Sequence, residues 1–213
     1  MQNKKLDRTF YANPNVLEVA KQLLGKVLVS EYDGVTCSGL IVETEAYRTP
    51  DDMSNHAVRF AHTKRGRDMV SKPGTAYVYY CRRHPLFNVC VSDEKSGNCV
   101  LIRALEPLLG IELMQLRREK ITDMRQLTNG PGKFTRALGI TVEKTHHIDL
   151  CAWDSPVYIC DPAQNETTIE TSRRIRVEGA GRIADEQEWR FYVKGNKFVS
   201  ELNYKWKNWD KIM

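Results

Sequence analysis

Two carboxylates stand two residues apart in the tract Val42-Glu43-Thr44-Glu45-Ala46-Tyr47. On a strand that spacing points both to one face, with Tyr47 beside them. On a solvated face they are ordinary surface charges; lining a pocket, one becomes a candidate general base. Spacing alone leaves both readings open. Adding His56 gives a conceivable ligand set for a metal-dependent hydrolase, Glu43, Glu45 and His56, but one histidine at that distance along the chain fits no standard metal site. No metal and no other cofactor is expected.

The remaining reactive residues are quieter. The six cysteines, Cys37, Cys81, Cys90, Cys99, Cys151 and Cys160, include no Cys-x-x-Cys pair, so they read as buried free thiols. His146-His147 is an adjacent pair, which on a strand would point two imidazoles to opposite faces; a solvated loop or strand edge is expected rather than a metal site. Asn129-Gly130-Pro131-Gly132-Lys133-Phe134-Thr135 lacks the first glycine and the Lys-Ser/Thr ending of a P-loop. What is left is either an ordinary helix start or a turn whose free N–H groups and Lys133 hold a phosphate.

These residues need a scaffold. Asn13 as N-cap, Pro14 at the first helical position and Val16, Val19, Ala20, Leu23 and Leu24 at helical spacing, closed by Gly25, predict a short amphipathic helix. Residues 26–32 read as a strand, Asp33-Gly34 as a two-residue hairpin turn, and 35–47 as the return strand carrying both glutamates. A polar loop over 48–72 holds Arg59, Lys64, Arg65, Arg67 and Lys72, and such a run is usually a solvated face. Pro73-Gly74 stops it. Residues 75–81 and 86–92 form a hairpin with the basic tip Arg82-Arg83-His84-Pro85, and 99–105 adds a strand. Helices are expected after Pro107 and near Pro131, and shorter strands at 157–160, 174–177 and 191–194. Strands joined mainly by hairpins predict an α+β fold, a mixed and largely antiparallel sheet with surrounding helices.

The chain of 213 residues is long enough to bury a full core without staples, and no repeat or linker divides it, so residues 1–213 are expected to form one domain. Hydrophobic residues at 41% and charged residues at 28% exclude a disordered or collagen-like chain, and no apolar run approaches a membrane span. The first residues lack the apolar stretch of a secretory signal, so the expected location is the cytoplasm, beside the nucleoid, or the nucleus in a eukaryote. A net charge of +5 is compatible with a polyanionic partner without requiring one.

Several tracts occur in one order: Glu43-Thr44-Glu45-Ala46-Tyr47; His56; Lys72-Pro73-Gly74-Thr75-Ala76-Tyr77-Val78-Tyr79; Asn88-Val89; Val100-Leu101-Ile102-Arg103-Ala104-Leu105-Glu106-Pro107; Gly130-Pro131-Gly132-Lys133; and Arg190-Phe191-Tyr192-Val193-Lys194-Gly195. This ordered set resembles the alkyladenine DNA glycosylase family, also called the methylpurine or 3-methyladenine DNA glycosylases, along nearly the whole chain. The resemblance implies a curved sheet with a protruding DNA-binding β-hairpin. It implies an enzyme that flips a damaged purine out of double-stranded DNA and hydrolyses its N-glycosidic bond, starting base excision repair. The substrates would be of the class 3-methyladenine, 7-methylguanine, hypoxanthine and ethenoadenine, and the acting unit a monomer.

By the same resemblance Glu45 is the general base, and Arg103 holds it and the attacking water. Tyr47 and Tyr79 stack on the flipped base, His56 bonds the flipped nucleotide, Tyr77 supports them, and Asn88 obstructs the exocyclic amine of normal guanine. No lysine matches the base position, which implies direct hydrolysis without a Schiff base. The DNA grip is expected from Arg65, Arg67, Arg82, Arg83 and Lys133. The chain departs from the family at the hairpin tip, where Arg82-Arg83 replaces a tyrosine followed by a glycine; Arg82 is the expected substitute for that minor-groove wedge. It also has Gly66 and Val70 where the family commonly has asparagine and an aromatic residue. The alternative function is a non-catalytic damaged-DNA-binding protein that has kept the fold.

Overall fold

Alternation along four neighbouring strands divides the protein into a dry face and a working face. In β3 (Val35–Tyr47), β4 (Ala76–Cys81), β5 (His84–Val91) and β6 (Asn98–Leu109), the residues Ile41, Ala46, Ala76, Val78, Phe87, Val89, Val100 and Ile102 enter one hydrophobic core. Their neighbours Glu45, Tyr47, Tyr77, Tyr79, Asn88, Leu101 and Arg103 lie between them in sequence and so point to the other side. The computed structural model describes residues 4–119, 121–162, 167–177 and 180–200; the first three residues, part of the segment read above for a leader, lie outside that set.

The remaining elements are β1 (Lys4–Lys5), α1 (Arg8–Tyr11), α2 (Val16–Gln22), β2 (Val27–Tyr32), α3 (His56–Arg59), α4 (Lys64–Met69), α5 (Ile111–Arg118), α6 (Pro131–Leu138), α7 (Val142–Thr145), β7 (Val157–Asp161), β8 (Ile169–Ser172), α8 (Arg182–Glu186) and β9 (Arg190–Val193). One sheet runs in the order β1-β7-β2-β3-β6-β5-β4, with β9 added to β3 and β8 to β9, and every pairing in it is antiparallel. The α+β expectation holds. β3 is shared: residues 35–40 pair with β2, and Glu43–Glu45 pair with β9. Register shifts against β6 around Ile41, Glu43 and Thr44 mark bulges, which bend a strand and re-aim its side chains where the glutamates sit. Phe134, Ala137 and Leu138 of α6 and Val16, Val19 and Ala20 of α2 join the dry face, and Thr44 Oγ1 ties β3 to α2 by donating to the Ala20 carbonyl at 2.8 Å.

Local expectations are corrected in several places. The cap of α2 is Asn15, whose Oδ1 accepts from Leu17 and Glu18 N–H, while Asn13 caps only the turn before it, accepting from Asn15 N–H at 2.9 Å. The 48–72 loop contains α3 and α4. At Gly66 an added Cβ would fall 2.2 Å from the Phe60 carbonyl oxygen, so the crossing of these helices admits only glycine, which accounts for one departure from the family. Val70 is exposed, and nothing in the structure explains that second departure. Strand β6 runs through Pro107 to Leu109, and the helix starts only after Gly110, which has φ 74°. Residues 174–177 are not a strand: Arg174 is buried in an ion pair and Arg176 has φ 61°, so the pairing with β9 falls to β8 instead. Of the cysteines Cys81 is exposed and Cys151 half-buried; the other four are buried, and burial alone pushes the Cys90 thiol up to about 12.

The histidine pair lies in a turn beside the edge strand β4, as expected, but its rings do not diverge. His147 has φ 66°, which breaks strand alternation and brings the rings side by side, 4.0 Å between centroids, both turned toward Asp68 of α4. Val78 N–H donates to His146 Nδ1 at 3.3 Å, so the ring proton sits on Nε2 and points at Asp68 Oδ2, 3.2 Å away. With Ala76 N–H donating to Ile148 and His147 N–H to Ala76, this segment covers the outer edge of β4. A proton already between His146 and Asp68 makes the cluster a hydrogen-bonded brace rather than a ready ligand set.

Candidate active site

A cavity of about 960 Å³ opens on the working face, bounded by the β4–β5 hairpin, α3, the start of α6 and residues 175–177. Its aromatic wall comes from strand and helix together. Tyr47, His56, Phe60 and Tyr79 line it, and His56 stands edge-on to Tyr79, 4.6 Å between ring centroids. Behind them Tyr77 is 1% exposed; its hydroxyl donates to the Arg65 carbonyl at 3.2 Å and lies 2.9 Å from His56 Nδ1. Burial, then Arg65 and Arg59, depress His56 to about 4, so at neutral pH the imidazole carries no charge. Rings and a neutral imidazole around a cavity this size are suited to a flat cationic guest.

Beneath this wall lies a buried charge network. Glu43 and Glu45 are both fully buried, and Arg103 bridges them, 2.9 Å from Glu43 Oε1 and 3.2 Å from Glu45 Oε2. Glu43 also accepts from Arg190 Nε at 2.7 Å and from the Ser200 amide and hydroxyl, both at 2.7 Å. Burial alone would raise its pKa; Arg103, Arg190 and Ser200 outweigh that and hold it below the usual carboxylate range. Every oxygen of Glu43 is thus committed to structure.

Glu45 differs in its neighbours. Its Oε1 accepts from Ile175 N–H at 2.7 Å and its Oε2 from the Tyr47 hydroxyl at 2.9 Å. The residues that touch it, Tyr47, Arg103 and Ile175, are cavity-lining residues, so the carboxylate lies immediately below the cavity floor. Burial and then the Glu45 charge push the Tyr47 hydroxyl well above 10, keeping it a donor. Asn88, 2% exposed, also lines the cavity, its amide fixed by donation to the Tyr77 carbonyl at 3.1 Å. The proposed metal triad is not assembled: arginines neutralise both glutamates, and His56 is engaged with Tyr77.

The sequence model of the methylpurine-DNA glycosylase family matches residues 9–197. The chain belongs to that family. It is 42% identical to a protein of Oceanobacillus iheyensis over 195 residues, covering 92% of this chain and 95% of the relative. Against a Bacillus subtilis protein the identity is 41% over 194 residues, covering 90% and 94%, and against one of Clostridium tetani 42% over 206 residues, covering 92% and 99%. All three carry the name "Putative 3-methyladenine DNA glycosylase". This glycosylase has no helix among its described residues that is long and apolar enough to cross a membrane.

The residues singled out in the sequence separate by position. Tyr47, His56, Tyr79, Asn88 and Arg103 line the cavity, with Glu45 and Tyr77 touching that lining from behind. Arg82 and Lys133 stand at its mouth, and the α6 start, Asn129 to Lys133, faces in. Arg65 stacks over Tyr79, 5.3 Å from its ring centroid, and backs the wall without lining the cavity itself. Arg67 folds back to donate to the His62 carbonyl at 2.7 Å, and Arg83 is exposed on the tip beyond the lining. Sequence reasoning missed Asp52, Arg174, Arg190 and Ser200, which carry the charge balance beneath the cavity. Arg190 opens one of the ordered tracts and Arg174 an expected strand, but nothing local marks any of the four as a charge partner, and only the fold brings them together.

Proposed function

We propose that this glycosylase hydrolyses the N-glycosidic bond of alkylated or otherwise damaged purines in double-stranded DNA by a single, metal-independent displacement, acting as a monomer. The observation that carries the reading is the aromatic wall with its neutral histidine, set directly over a buried carboxylate held by an arginine. A flipped purine stacks against Tyr47 and Tyr79, and one made cationic by alkylation gains roughly 0.5–2 kcal/mol from such rings. The uncharged His56 adds no repulsion. Water entering between Tyr47 and Arg103 reaches Glu45, which takes its proton as the bond to the departing base loosens and whose charge steadies the cationic sugar. Asn88, held rigid by its bond to Tyr77, excludes the exocyclic amine of normal guanine by clash.

The grip on DNA falls to the mouth. Arg82 takes the wedge's place at the hairpin tip, and Lys133 with the α6 N-terminus holds a backbone phosphate beside the cavity. The deciding experiment incubates the protein with duplexes carrying 3-methyladenine, 7-methylguanine, hypoxanthine or ethenoadenine and measures released base and strand nicking. Release of free base without nicking is expected, and Glu45→Gln should slow it by about 10²–10⁴-fold. Undiminished release by Glu45→Gln would sink the assignment.

A further inference from the structure

Beneath Tyr47 lies an ion pair that the proposed chemistry does not use. Asp52 and Arg174 are both fully buried and joined by two bonds, 2.6 Å and 3.0 Å. Arg174 Nη1 also donates to the Ala46 carbonyl at 2.8 Å, and the guanidinium carbon lies 4.6 Å from the Tyr47 ring centroid. Tyr47 lines the cavity and Arg174 does not, so the guanidinium covers the ring face turned away from it. A base entering the cavity meets the other face. A bare cation behind a ring draws on the same π electrons and repels a second cation in front of it.

We propose that Asp52 is a specificity-determining residue: by neutralising Arg174 behind Tyr47 it keeps the cavity face of that ring attractive to cationic purines. The proposal rests on the reading of Tyr47 as the stacking platform. One stacking distance in front of the ring puts the base roughly 8 Å from the guanidinium and roughly 12 Å from the carboxylate. At those separations, loss of the carboxylate charge disfavours a cationic base by about five- to tenfold. Glu45 and Arg103, the other charges touching Tyr47 or its hydroxyl partner, are unchanged by the substitution. Asp52 is also a structural hub, accepting from the Ser54 amide at 3.0 Å and from its hydroxyl at 2.5 Å. The test must therefore separate charge from scaffolding.

Single-turnover release of 7-methylguanine, a cation, and hypoxanthine, a neutral base, from otherwise identical duplexes makes that separation. The ratio of the two rates is independent of how much protein is correctly folded. Asp52→Asn should lower the cationic-to-neutral ratio about five- to tenfold. Arg174→Gln, which leaves the negative charge alone behind the ring, should raise it and serves as the test if Asp52→Asn does not fold. The double variant, which loses the nearer cation together with the farther anion, should stand about two- to threefold above wild type. Both rates falling together with an unchanged ratio would show scaffolding only and overturn the proposal. If wild type releases only 7-methylguanine, the double variant must outpace Asp52→Asn on that base, and equal rates overturn the proposal. Release of neither base by wild type would defeat the glycosylase reading of the site itself.

Discussion

At the scale of single residues, the two neighbouring glutamates have opposite duties. Glu43 is depressed in the folded protein, so its contribution to stability is present above its ordinary value of 4.5 and is lost as pH falls through the lower folded value. Glu43→Gln leaves Arg103 and Arg190 without their shared counter-charge and should cost about 3–5 kcal/mol in urea unfolding at neutral pH. His56 has the same sign for a different reason. Its folded value of about 4 lies below the ordinary 6.5, so the unfolded chain binds the extra proton first. Stability linked to His56 is complete above pH 6.5 and disappears as pH falls toward 4. Wild type should therefore lose roughly 1–3 kcal/mol more than His56→Gln across that window, read as the difference between their urea midpoints.

At the scale of elements, the β4–β5 hairpin is built against its own local preference. Arg82 has φ 47° and Arg83 φ 70°, left-handed conformations that a two-residue turn ordinarily fills with Asn-Gly. The first hairpin obeys that preference, with Asp33 and Gly34 at φ 57° and 76°. Side chains retained where the backbone penalises them point to work at the tip. Replacing Arg82-Arg83 with Asn-Gly should raise stability by about 1–2 kcal/mol while weakening binding to duplex DNA, measured by thermal melting and by fluorescence anisotropy. Weaker stability or unchanged affinity would contradict this account. The tip is braced from behind by α6, where a Cβ at Gly132 would come within 2.7 Å of His84 Cβ, so glycine there lets the hairpin pack directly against the helix.

The same elements show what a sequence discloses. Asp33-Gly34 marks the β2–β3 hairpin because turn chemistry is local, and the long alternation in β3 puts Glu45 and Tyr47 on one side. The cap of α2 falls two residues later than its pattern suggests because Asn13 and Asn15 flank Pro14 and both side chains cap something. Residues 174–177 mislead for a deeper reason. Their composition suits a strand, but Arg174 belongs with Asp52, 122 positions away, and no local pattern marks such a pair. The ordered motifs include Glu43, Glu45, Arg103 and Arg190 but not which of them pair, and Asp52 with Arg174 lies outside every motif, so the charge pairing emerges only in the fold.

At the scale of the whole molecule, charge is sorted by depth. Three buried carboxylates, Glu43, Glu45 and Asp52, face three buried arginines, Arg103, Arg174 and Arg190, so the cavity floor is neutral as a unit. The cations Arg59, Arg82, Arg118, Lys133 and Arg176 line the cavity above it. A net charge of +5 is too modest to bind DNA from every side, so the electrostatic grip should be local. Removing one phosphate-binding cation reduces the slope of log affinity against log salt by about 0.9. Arg82→Ala with Lys133→Ala should therefore flatten the slope by about 2, whereas Lys4→Ala on β1, at the opposite end of the sheet from β4, should leave it unchanged. Because the floor is buried and contacts no phosphate, Glu45→Gln should keep the wild-type slope while slowing base release about 10²–10⁴-fold. Anisotropy titrations across a salt series, run beside base-release assays, measure both quantities on the same proteins. A slope that moved equally with all three changes would mean a diffuse field rather than a cationic rim around a neutral pocket.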